Sequence, residues 1–146
     1  LLYVPMYVDS TMVLDQIATE VSGAVASNVR LGIYTADADL QPGTLIVDSG
    51  AIDASTPGFK SASISVTLQP GRYLTAVLSD GAPTLRCARG VTISQFYPTS
   101  LGASTITEFT VSQTYGALPS TGVTWTAATA GAAGWRQAVW VRITTP

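Results

Sequence analysis

The chain has 146 residues, a net charge of -2 and 47% hydrophobic residues, which is enough apolar side chain for one domain with a real core and too much for a disordered chain. Its seven basic residues are scattered and outnumbered by acids, and no apolar run approaches the ~20 residues of a membrane helix. Neither nucleic-acid binding nor membrane insertion is therefore expected.

Charged residues make up only 11% of the chain, against about 25% in an average globular protein. Ser, Thr, Ala and Gly fill the difference. A neutral surface of this kind suits an assembly, where neighbours cover part of it, or an extracellular coat. The opening Leu1-Leu2-Tyr3-Val4-Pro5 has no initiator Met, charged n-region or signal-type apolar stretch, so residues 1–146 read as one module, the C-terminal one of a longer chain.

In chain order, Met12 to Val21 is ambiguous. Leu14, Ile17, Ala18 and Val21 fit a helix, whereas Val13, Ile17, Thr19 and Val21 fit a strand. The β-branched composition favours the strand. Asn28 to Tyr34 places Val29, Leu31 and Ile33 on one face, and Ser63 to Leu68 alternates in the same way. Gly71 to Leu78 is apolar on nearly every position and reads as a more buried strand. Pro and Gly turns separate these runs at Gln41-Pro42-Gly43, Thr56-Pro57-Gly58, Gln69-Pro70-Gly71 and Ser79-Asp80-Gly81. The lone Cys87 reads as a buried strand thiol, and one cysteine excludes an internal disulfide. From Tyr97 to Ala133 the text is rich in Thr, Ser, Gly and Ala, with one clear strand candidate, Ile106 to Val111, and a turn at Pro119-Ser120. Residues 126–134 read as a small-residue loop. Ala138 to Ile143 alternates again, with Trp140 facing away from Val139 and Val141. Short strands at this spacing predict an all-β, antiparallel β-sandwich.

The chain contains no histidine, which removes the commonest general base and metal ligand and any Ser-His-Asp or Cys-His arrangement. No phosphate-binding glycine loop or nucleophile elbow occurs. Carboxylate pairs do occur, Asp37 with Asp39 and Asp48 with Asp53. Such pairs serve glycoside hydrolysis or hold calcium, and they also furnish polar turns. Asp37 and Asp39 lack the glycine and closing glutamate of a calcium loop, so the turn reading is preferred, and they stand as the metal candidates. No cofactor and no catalysis are expected. Aromatic residues give the positive hint of a ligand. Tyr97, Tyr115, Trp125, Trp135 and Trp140 crowd the C-terminal third. They suit a core, a subunit contact or a stacked sugar. Tyr115, Trp125, Trp135 and Arg136 are the candidates for a glycan or receptor contact.

The run Val29-Arg30-Leu31-Gly32-Ile33-Tyr34, followed by Gln41-Pro42-Gly43-Thr44-Leu45-Ile46-Val47-Asp48-Ser49-Gly50 and by Pro70-Gly71-Arg72-Tyr73-Leu74-Thr75-Ala76-Val77, resembles the jelly-roll domains of bacteriophage tail-fibre and receptor-binding proteins. The opening from Tyr7 to Val21 is also similar to theirs. The resemblance covers residues 3–90 and the last strand, and leaves Tyr97 to Ala133 outside. It implies jelly-roll topology, a place on the virion surface with other virion proteins as partners, a homotrimer and loops facing a host-cell glycan or receptor. Two other roles are consistent with the same pattern: a structural virion part such as a fibre base, collar or capsid decoration, and a carbohydrate-binding module of a secreted bacterial protein.

Overall fold

The computed structural model describes residues 1–89, 109–124 and 135–144, and among these every regular element is a strand. In chain order they are β1 (Leu2–Val8), β2 (Met12–Gly23), β3 (Asn28–Ala36), β4 (Pro42–Asp48), β5 (Ile52–Asp53), β6 (Gly58–Leu68), β7 (Gly71–Ser79), β8 (Thr84–Leu85), β9 (Cys87–Arg89), β10 (Phe109–Thr110), β11 (Trp135–Gln137) and β12 (Trp140–Thr144). A six-stranded sheet runs β10-β1-β7-β3-β4, with β5 also paired to β3. A four-stranded sheet runs β12-β2-β6, with β8 also paired to β2. A short β11-β9 ribbon adjoins it through the Ala138 N–H, which donates to the Arg86 carbonyl at 2.9 Å. All pairings between strands are antiparallel and the two large sheets pack face to face, so the chain is an all-β sandwich. The strand order among the described residues does not trace the full jelly-roll connectivity.

The helix-or-strand ambiguity of Met12 to Val21 has a physical origin. β2 is a strand, but its register slips between Leu14 and Gln16 against both neighbours. One extra residue at this bulge lets Leu14 and Ile17, three apart, both point inward. The inward residue before the bulge is thus Leu14, and Val13 is 42% exposed, opposite to the phase expected from alternation. The core between the sheets is built from Leu14, Ile17 and Val21 of β2, Leu68 of β6, Val29, Leu31 and Ile33 of β3, and Tyr73 and Val77 of β7.

A second apolar cluster lies on the other face of the six-stranded sheet: Tyr3, Tyr34, Leu74, Ala76 and Leu78, with Leu40, Phe109 and Leu118. Residues 109–123 form a strap over it. The strap is fastened at 2.9 Å by the Leu45 N–H to the Ser120 carbonyl, by the Tyr34 hydroxyl to the Pro119 carbonyl and by the Leu118 N–H to Asp48 Oδ2. At 3.1 Å the Val123 N–H donates to the Tyr3 hydroxyl. Tyr3 and Tyr34 meet edge to face across the small Ala76, centroids 5.5 Å apart, because Tyr3 lies opposite Ala76 on β7 while Tyr34 lies opposite Leu74. Burial pushes both phenols above their ordinary range. Leu118 fills the hollow that Gly32 leaves. A Cβ at Gly32 would stand 2.4 Å from Leu118 Cδ1 and 3.0 Å from the Val47 carbonyl oxygen.

Gly32→Ala should therefore destabilise the fold by about 1–3 kcal/mol in urea titration, with an unchanged m value. Combining it with Leu118→Ala should cost less than the sum of the two single changes. Strict additivity would show that Leu118 does not sit on Gly32.

Candidate functional site

The wet face of the four-stranded sheet carries the most exposed aromatic surface of the described residues outside Tyr7. On β2 the residues Asp15, Gln16, Ala18 and Glu20 face outward, opposite in phase to the buried Ile17, Thr19 and Val21. Trp140 of β12 lies opposite Ala18, and on the other flank Ala18 lies opposite Ser61 while Glu20 lies opposite Phe59. Val139 and Val141 pack on the core, so Trp140 faces out, as alternation predicts. Only a methyl group stands between the flanking strands at Ala18. The Trp140 ring leans across it and meets Phe59 at a centroid distance of 5.4 Å and an interplanar angle of 62°. Trp140 remains 38% exposed and Phe59 68%.

The charges on this face neutralise one another. Arg142 donates from Nε and Nη2 to the two Asp15 oxygens, both at 2.7 Å. Arg86 donates likewise to Glu20 at 3.1 and 2.8 Å. The hydrogen bond from Arg142 holds the Asp15 carboxyl below the ordinary carboxylate range, and the pairing raises both guanidinium groups. Beyond Phe59, β6 presents Ser61, Ser63, Ser65 and Thr67 on the same exposed face. None of the described residues hydrogen-bonds these hydroxyls.

Of the residues singled out by sequence, Trp140 lies on this face and Tyr115 does not. Tyr115 belongs to the strap on the opposite side of the molecule, half-buried against the second apolar cluster, its hydroxyl buried without a partner among the described residues. The backbones of Trp135 and Arg136 lie in β11, opposite Arg89 and Ala88. Trp125 and Tyr97 lie outside the described residues, as do residues 126–134 and the first half of the Ile106 to Val111 candidate. Asp37 Oδ1 accepts the N–H groups of Asp39 at 2.9 Å and Gln41 at 2.8 Å, which organises its own turn. Among the described residues no group of three or more His, Cys, Asp or Glu is placed to hold a metal. Asp48 is spent on Arg30, Gly50 and Leu118, and Asp53 on Ser55. Cys87 is in a strand but half-buried rather than buried, its Sγ donating to the Leu85 carbonyl.

Phe59 is the site residue that sequence reasoning missed. Its signal was its phase. It lies two residues before Ser61 in an alternating strand, so it shares the solvent side with the serines. Against protein-family models, curated proteins and solved structures, the chain gives no significant match.

Acid should loosen the molecule through its clamped carboxylates. Asp80 accepts the Asn28 backbone N–H at 2.6 Å and its side-chain amide at 2.9 Å, and these bonds lower its pKa, as Arg142 lowers that of Asp15. A carboxyl depressed in the folded state stabilises fully above its ordinary value of 3.8 and loses that contribution as pH falls through the folded value. The thermal midpoint should thus hold steady near neutrality and drop below about pH 4. Asp80→Asn should lower the midpoint at pH 7 and flatten the acid limb. An unchanged acid limb in that variant would remove Asp80 from the account.

Proposed function

We propose that this chain is a non-enzymatic recognition domain of a virion fibre or spike, binding a host-cell surface glycan or receptor as part of a homotrimer. The observation that carries this reading is the Phe59–Trp140 pair, exposed on a sheet whose other face is locked into the core. Aromatic rings held this way bind without losing the rotamer freedom that a loop side chain loses. The lack of histidine and the structural use of Asp48, Asp53 and Asp80 support binding over turnover. Three copies on one axis would add avidity to a weak single site.

A second reading draws on the same pair: a structural virion part in which a neighbouring subunit covers Phe59 and Trp140. The two separate in solution. Light scattering on the chain should give a trimer, and tryptophan fluorescence should respond to an oligosaccharide ligand. Trp140→Ala should abolish that response while costing only about 1 kcal/mol of stability, the scale of one aromatic pair. A monomer would sink the fibre reading, and a trimer blind to every oligosaccharide would favour the structural part.

A further inference from the structure

We infer that the ligand of the four-stranded sheet is an uncharged glycan that lies along β6, with one sugar ring against Phe59 and Trp140 and its hydroxyls on Ser61, Ser63, Ser65 and Thr67. The inference rests on the recognition reading above and names the surface and the ligand class. Three observations carry it. The first is the hydroxyl row. Each hydroxyl offers one donor and two acceptor positions, which matches a polyol and does not match an apolar peptide face. The row is exposed, free of partners among the described residues, and repeats at about 6.5–7 Å, twice the strand rise. It is also preorganised, since β6 pairs with β2 on both sides of the register shift, from Gly58 to Ser63 and from Val66 to Leu68.

The second observation is charge. The two guanidinium groups described on this face, of Arg86 and Arg142, are engaged in two-pronged bonds to carboxylates. The one lysine of β6, Lys60, donates to the Thr56 hydroxyl. Among the described side chains, no cation on this face is left to meet the carboxylate, phosphate or sulfate of an acidic sugar, and no anion is left to meet a basic one.

The third is area. A stable protein partner buries about 800 Å² on each side. A fully buried aromatic side chain contributes about 150–250 Å², and here two partly exposed ones make the patch, because the other exposed large apolar residues described on this sheet, Val13 opposite Thr67 and Ile143 opposite Leu14, lie towards the other end of β2. One ring face of a sugar fits this patch, whereas a second copy of the chain would find it small. The edge-to-face angle of 62° agrees, because it leaves no coplanar platform for a flat apolar surface.

The test uses the 146-residue chain on an array of neutral and acidic oligosaccharides, followed by fluorescence titration with the strongest neutral hit. Neutral hits are expected, with an affinity that changes less than about twofold between low and high salt, because no ion pair is formed. Phe59→Ala should abolish binding. Ser61→Ala with Ser63→Ala should weaken it about tenfold, the product of two neutral hydrogen bonds. Unchanged thermal midpoints in these variants would keep a loss of binding from being a loss of fold. Binding that survives both sets of changes would overturn this surface and leave the recognition reading intact. Hits confined to acidic sugars, weakened by salt, would overturn the neutral class alone. An array without hits, together with Phe59 and Trp140 shielded in an oligomer, would overturn both.

Discussion

Six consecutive buried residues, Tyr73 to Leu78, leave the middle of β7 no wet face. A strand of this kind must be covered on both sides, or about 1.5–3 kcal/mol of hydrophobic stabilisation is forfeited for each large side chain left in water. The architecture answers that demand. The four-stranded sheet covers one face through Leu14, Ile17 and Leu68, and the strap covers the other through Phe109 and Leu118. The six-stranded sheet is therefore the middle layer. Among the described residues, the sheet face left to solvent over the centre is the outer face of the four-stranded sheet, and that is where the exposed aromatic pair and the hydroxyl row are found.

How much of this was legible in the chain depends on the range of the interaction that encodes it. Core faces set by alternation, those of Val29-Leu31-Ile33 and of the Ser63 to Leu68 run, are written in local periodicity and were readable. So was the outward direction of Trp140, which follows from its neighbours Val139 and Val141. The bulge in β2 was not, because an inserted residue shifts the phase and imitates helical spacing at Leu14, Ile17 and Val21. The strap was not either. Its fastenings join Leu118 to Asp48, Pro119 to Tyr34 and Val123 to Tyr3, pairs between 70 and 120 residues apart, and most of them engage backbone groups that carry no residue signature. Of the aromatic residues grouped near the C-terminus, the two whose side chains the structure describes are neighbours in sequence and not in space. Tyr115 and Trp140 end on opposite sides of the sandwich, whereas Phe59, far from Trp140 along the chain, touches it.

The low charge content also has a structural counterpart. The ion pairs among the described residues spend charges on one another: Arg30 with Asp48, Arg86 with Glu20, Arg142 with Asp15. The two outer pairs are solvent-exposed and so contribute little to stability. Their consequence is for recognition, because each cancels a field that would otherwise attract an oppositely charged partner. The four charged side chains described on this face thus present the electrostatics of a neutral surface.

Two aromatic pairs among the described residues share one geometry. In each, an alanine on the central strand lies opposite one aromatic residue, and the second aromatic sits on the other flank, displaced by two residues: Tyr3 and Tyr34 about Ala76, Trp140 and Phe59 about Ala18. The centroid separations, 5.5 and 5.4 Å, are nearly equal. The small central residue is what permits the contact, since a larger side chain would hold the rings apart. What differs is the cover. The tyrosine pair lies under the strap, its hydroxyls bonded to the strap's own backbone, and is wholly buried. Among the described residues nothing covers the Phe59–Trp140 pair, and its flanking hydroxyls have no partners. Within one fold, the first pair shows how such a surface is closed by a segment that brings both apolar contact and hydrogen-bonding groups. A ligand for the second must supply the same two things, and a sugar, with an apolar ring face edged by hydroxyls, supplies both.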